Sequence, residues 1–132
     1  MTNIPNHYAP KLSVLTQDHV TIAGIDDFPN DLWVVEHPNG KHLVYSWHDA
    51  PEMGIVHGLM VLSTVAKAEL IRLTLVDLAK QSGDNSEVEL FTGMGPKFVT
   101  FDEARMIAKS KPPLRAIFLM DNPNEPLVHY VS

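Results

Sequence analysis

The alternation of apolar and polar positions divides the chain into strand-like and helix-like stretches. Lys11 to Gln17 reads as a weak strand and Val20 to Ile25 as a better one, closed by the turn residues Pro29 and Asn30. Leu32 to His37 and His42 to Trp47 then flank Pro38-Asn39-Gly40-Lys41. Asn-Gly suits a two-residue type I′ turn, because both central residues need positive φ. With Asn39 and Gly40 as that turn, the register predicts His37 opposite His42, Val35 opposite Val44, Val34 opposite Tyr45, and Leu32 opposite Trp47. Opposed residues share a face, so Trp33, Val35 and Val44 fall on one side and Leu32, Val34, Tyr45 and Trp47 on the other. Both sides are apolar, and each calls for a cover.

The expected cover is one long helix from about 58 to 81, ended by Ser82-Gly83, since a glycine just past the last turn terminates helices. At 100° per residue, Ser63, Lys67, Thr74 and Gln81 form a narrow polar stripe. Val61, Val65, Ala68, Ile71, Leu75, Val76 and Ala79 form a broad apolar face, and Leu59, Leu62, Ala66, Leu70 and Leu73 a second one. A helix so apolar around its circumference is expected to be buried on more than one side, against the sheet and against a further helix or a second subunit.

Beyond it, Glu87 to Phe91 alternates as a strand, Gly93-Met94-Gly95-Pro96 turns, and Lys97 to Val99 pairs briefly. Thr100-Phe101-Asp102-Glu103 has the Thr-x-x-Glu form of a capping box and opens a short helix of about 101–109, broken by Pro112-Pro113. Leu114 to Met120 is a continuous apolar run suited to a central strand, and Leu127 to Val131 follows as another. The expected architecture is α+β: a mainly antiparallel sheet with the hairpin 32–47 at its centre, packed on the long helix and the short one. No repeat or linker divides the chain, so 1–132 reads as a single domain with 1–10 an irregular arm.

Composition narrows the function classes. The chain has 132 residues, 45% apolar and 20% charged, which is globular rather than disordered. It holds no cysteine, which excludes disulfides, thiolate nucleophiles and Cys-type zinc sites. The amino terminus lacks a positive segment followed by an apolar run, so a secretion signal is not expected and cytoplasmic residence is. Lys67, Glu69, Arg72 and Asp77 interrupt the most apolar stretch, which argues against a membrane span. The formal charge of −6 opposes nonspecific attraction to phosphate backbones, and Arg105, Lys109, Lys111 and Arg115 are accompanied by Asp102 and Glu103. Nucleic acid is therefore not the expected partner, and no cofactor is expected.

Chemistry concentrates in Tyr45 to Met60, read as a connector between hairpin and helix. His48, Asp49, Glu52 and His57 are able to bind a metal or transfer protons, and they form the candidate metal set. No regular element fixes their geometry, and Asp49 or Glu52 would equally favour the start of the following helix. His37 and His42, opposed near the hairpin tip, are a second candidate pair for a shared metal ion. His19-Val20-Thr21 and His129-Tyr130-Val131-Ser132 each place an imidazole and a hydroxyl on an expected strand. Presented to one pocket, His19, Thr21, His129 and Ser132 would suit acid–base work on a phosphodiester. The repeated element resembles the active-site motif of the two-histidine phosphoesterase family, and the resemblance implies a metal-free phosphodiesterase.

Three functional classes follow. The leading expectation is a non-enzymatic intracellular protein-interaction module of bacterial or phage type, such as an inhibitor, immunity-type protein, adaptor or regulator. Its motivation is the acidic charge and apolar helix area beyond what one short chain covers, and a homodimer is one form such association takes. The second is a small hydrolase using either candidate set. The third is a small-ligand-binding regulator with Trp33, Tyr45 and Trp47 lining a pocket.

Overall fold

The computed structural model describes residues 11–14, 31–50, 54–111, 114–120 and 128–131. The order of elements is β1 (Lys11–Val14), β2 (Asp31–Glu36), β3 (His42–Ala50), β4 (Gly54–Val61), α1 (Val65–Ser82), α2 (Asn85–Gly93), β5 (Gly95–Thr100), α3 (Phe101–Lys109), β6 (Ala116–Leu119) and β7 (Val128–Val131). The class is α+β, with one mixed sheet ordered β1-β6-β4-β3-β2-β5 and β7 paired to β3. The expected strand Val20 to Ile25 and the arm 1–10 lie outside the described residues.

β4 and β6 run parallel, and the other strand pairs among the described residues are antiparallel. A parallel pair requires a long crossover, which α1, α2, β5 and α3 supply. Both faces of the sheet are covered. Val35, Leu43, Tyr45, Met60 and Phe118 pack with Ala68, Ile71 and Leu75 of α1 and Phe91 of α2. Leu32, Val34, Val44, Leu59 and Ile117 pack with Ala104 and Ala108 of α3. All four residues of β6 are buried, as its unbroken apolar run predicts for a central strand.

Two features of the hairpin differ from expectation. The turn is wider by one residue, because the amide of Gly40 donates to the His37 carbonyl, the amide of His37 donates to the Lys41 carbonyl, and Glu36 pairs with His42. Proline's fixed φ favours position i+1 of an ordinary turn, so Pro38 and Asn39 become the central pair, with Gly40 following at φ 93°. That is a turn closed by a left-handed glycine rather than the type I′ form. A one-residue slip exchanges faces, so Tyr45 lies with Val35, and Val34 with Val44. The hairpin also parts at its root: β2 meets β3 only at Glu36–His42, then pairs with β5 over six residues and touches Leu62 through Trp33.

The helix expected at 58–81 begins later. Gly54–Val61 is β4, and α1 starts at Val65 behind the cap Thr64, whose hydroxyl accepts the Lys67 amide hydrogen bond at 3.1 Å. Val56, Met60 and Leu62 join the α1 side of the core while Leu59 and Val61 join the α3 side, an alternation a helix cannot produce. Tyr45 to Ala50 and Gly54 to Met60 are therefore paired antiparallel strands rather than a connector. Glu87 to Phe91, expected as a strand, belongs to α2, whose cap Asp84 accepts the Glu87 amide hydrogen bond at 3.1 Å. At the other end of the chain the capping box is present: Thr100 and Glu103 satisfy each other's backbone amides, and α3 ends at Lys109.

On α1 the inward face is Ala68, Ile71, Leu75, Val76 and Ala79, as the pattern predicts. The second apolar face is open to solvent. Leu59 lies in β4 and Leu62 just past it, bridged to Trp33, and Leu70 and Leu73 are 42% and 48% exposed.

Gly58 is the tightest point of the sheet. It lies opposite Tyr45 on β3 and Ala116 on β6. The rings of Tyr45 and Phe118 meet edge-on with centroids 5.2 Å apart. A β-carbon at Gly58 would stand 2.5 Å from the Phe118 ring and 2.9 Å from the Ala116 carbonyl oxygen. Gly58→Ala is therefore expected to destabilise the fold by about 1–3 kcal/mol through overpacking. Urea denaturation measures it, and an unchanged midpoint would mean that the Phe118 ring moves aside freely.

Candidate functional site

The polar residues that the fold brings together lie at the outer end of β3 and β4. Here Ser46 is opposite His57 and Trp47 is opposite Val56, whereas Ala50 is opposite Gly54. His48 and Asp49 thus face the single residue Ile55, a β-bulge. Bulges of this kind kink one strand and are common beside functional sites. Val44 and Leu59 belong to the α3 side of the core. By alternation Ser46 and His57 lie on that same side.

The Ser46 hydroxyl is 2.6 Å from His57 Nδ1. Ser46 is buried and His57 is exposed. A hydroxyl beside an imidazole nitrogen is the pairing that a nucleophile and its base require, and equally the pairing that holds one tautomer of a histidine. Ser46 lacks the Gly-x-Ser-x-Gly surroundings of a nucleophile elbow, and only the register of β3 against β4 brings it to His57. The signal was present in Ala50-Pro51-Glu52-Met53-Gly54, a cluster of turn residues between two apolar alternations.

Three of the four candidate metal residues fall among the described residues. His57 is placed, His48 and Asp49 are placed at the bulge by backbone register, and Glu52 lies outside the described residues. Among the described residues, no three His, Asp or Glu side chains group closely enough to hold a metal ion. Of the phosphodiester set, His129 stands on β7 opposite Val44, and His19, Thr21 and Ser132 lie outside the described residues.

The other expected pairings are redistributed. The wider turn separates His37 from His42. His37 Nδ1 accepts the Asn39 amide hydrogen bond at 3.0 Å, whereas His42 is buried with Nε2 2.9 Å from a Glu36 carboxylate oxygen. Lys97 Nζ is 3.7 Å from the same oxygen, and Lys111 Nζ donates to the Gly40 carbonyl at 2.8 Å. Burial, and then the charge of Lys111, hold the His42 imidazole below the ordinary histidine range, against the opposing pull of Glu36. Of the aromatic set, Tyr45 is core and Trp33 stands edge-on to Phe98 at 5.6 Å. Trp47 is placed opposite Val56. A shallow cleft of about 450 Å³ lies instead between the turn and α2, lined by His37, Lys41, Ser86, Glu89 and Leu90. Arg105 stays beside Asp102 on α3, and Lys111 turns toward Gly40, so these two cations do not form a common basic surface.

Comparison with protein-family models, curated proteins and solved structures finds no match to this chain.

The Ser46–His57 contact makes an asymmetric prediction. Ser46→Ala removes a hydroxyl from an exposed imidazole and is expected to cost about 1 kcal/mol, whereas His57→Ala strands a buried hydroxyl and is expected to cost about 1–3 kcal/mol. Chemical denaturation of both variants checks it, and equal small losses would mean that water replaces the imidazole.

Proposed function

We propose that this chain is a non-enzymatic intracellular protein-interaction module, of the inhibitor, immunity-type, adaptor or regulatory kind, whose contact surface is the outer face of α1. One observation carries the reading. Leu70 and Leu73, with Ala66 one turn before them, form an outward apolar stripe on an 18-residue helix whose opposite face is already buried in the core. Val65 and Leu78 add exposed apolar area on its flanks. Single exposed leucines are ordinary, but several on one face mark an association surface. The formal charge of −6 selects a partner whose apolar contact is rimmed with basic groups, since complementary charge steers encounter. A rigid helix presents such a stripe without an ordering cost on this side of the complex.

The decisive comparison is affinity capture from the native host with the natural chain and with a Leu70→Asp, Leu73→Asp variant. Both positions are exposed, so the variant is expected to keep its folded circular dichroism. A defined protein should be retained by the natural chain and lost by the variant. Retention of the same proteins by both would sink the reading, and a second copy of the chain as the occupant would show as a dimer in light scattering that the variant abolishes.

A second reading has the Ser46–His57 contact in its favour: a small hydrolase at the β3–β4 end, metal-assisted if His48, Asp49 and Glu52 join His57. The bulge supports it by setting His48 and Asp49 close along the strand from Ser46. Protein purified without a histidine tag is then expected to carry stoichiometric metal, lost in His48→Ala and His57→Ala. Absence of metal, together with thermal stability indifferent to added zinc or manganese, eliminates that version.

A further inference from the structure

His42 is a buried histidine, 5% exposed. Its Nδ1 is buried and makes no hydrogen bond among the described residues, the Gly40 carbonyl being the backbone acceptor near the ring. It also sits at a joint. The β2–β5 pair is tied to the rest of the sheet by backbone pairing at two places, Glu36–His42 and the Trp33–Leu62 bridge with its two 2.8 Å hydrogen bonds. His42 continues the sheet on its far side, opposite Val131 of β7.

We propose that His42 is a pH-operated latch at this joint: the neutral imidazole holds Glu36 and keeps the β2–β3 corner closed, and protonation opens it. The neutral ring donates from Nε2 to the Glu36 carboxylate and leaves Nδ1 as a bare acceptor, which is tolerable when buried. A second proton would make Nδ1 a buried donor in need of a partner, at the cost of a buried charge. The charged groups around the ring decide the outcome. Glu36 on β2 favours the cation, but Lys97 of β5 already shares its oxygen at 3.7 Å. The Gly40 carbonyl also favours the cation, and Lys111, just past α3, shares it at 2.8 Å. Lys111 further opposes a second positive charge there. The same balance depresses the affinity of the closed corner for the proton.

The sign follows from linkage. A histidine whose folded pKa lies below its unfolded value, about 6.5, takes up its proton more readily when the corner opens. Closure is then fully favoured above that value and lost as pH falls below it.

Amide hydrogen exchange on the full chain at pH 7.5 and 5.5, corrected for intrinsic rates, tests the latch. The turn amides of His37 and Gly40 and those of β2 are expected to lose protection at the lower pH, by a few-fold and at most about ten-fold, while β4 and β6 keep theirs. His42→Gln should abolish the difference. Lys111→Gln, at a half-exposed position, gives a second arm should that variant fail to fold: it removes the charge that opposes protonation of the closed corner, so the loss of protection between pH 7.5 and 5.5 should shrink. Equal protection at both pH values, tighter protection in acid, the same loss in His42→Gln, or an undiminished loss in Lys111→Gln overturns the proposal.

Discussion

The two-sided burial of β4 and β6 is the constraint on which the remaining structure depends. Each strand sends alternate residues into separate cores, Met60 and Phe118 toward α1, Leu59 and Ile117 toward α3. A sheet centre of this kind needs helices on both faces, and the chain supplies them from the crossover that the parallel pairing itself requires. Gly58 makes the arrangement possible. Without a side chain it lets the rings of Tyr45 and Phe118 meet across the strand between them, filling the α1 side of the core at its narrowest point. Once Gly54–Val61 is committed to the sheet, α1 cannot start before Thr64, and among the described residues no further element covers Leu70 and Leu73.

A second chain of consequence starts at Pro38. Its fixed φ moves the turn one residue toward the amino terminus of the expected pair, and every position on β3 changes partner. Tyr45 enters the α1 side of the core, where Phe118 awaits it, and His42 comes to oppose Glu36 instead of His37. The buried histidine, its carboxylate and the two lysines beside them are thus products of turn geometry rather than of any motif. They are also why a titratable group stands where β2 leaves the main sheet.

What was legible in the sequence was the local and strongly periodic part. The α3 capping box, the apolar run of β6 and the inward stripe Ala68-Ile71-Leu75-Ala79 all rest on interactions within one element or on unmistakable burial. The misread parts depended on partners distant in sequence. Gly-Leu-Met-Val from Gly58 is compatible with a helix or a strand, and only its pairing with β3 and β6 decides between them. Glu87 to Phe91 alternates like a strand, yet Asp84 caps a helix three residues earlier, and the short Asp-x-x-Glu signal outweighs the alternation. Of the site, His57 was visible as a reactive residue, but Ser46 gained meaning only from the β3–β4 register. The histidine pair expected at the hairpin tip dissolved for the same reason.

The two functional readings draw on opposite sides of the molecule, and that separation gives them independent tests. Leu70 and Leu73 lie outside the α1 layer, whereas Ser46 and His57 lie on the α3 side of the sheet. Charge introduced at the former reaches the latter only through a closely packed core, and at such distances substitutions act nearly additively. The surfaces also differ in what they demand. An apolar stripe needs no chemistry, only a partner that removes it from water, and its worth grows with area. A hydroxyl–imidazole contact needs a substrate held within hydrogen-bonding reach, together with groups that receive developing charge. The docking proposal asks for exposed apolar surface, which Leu70 and Leu73 supply, whereas the hydrolase proposal asks for several converging groups, of which the Ser46–His57 contact is one. That difference in completeness places the docking reading first.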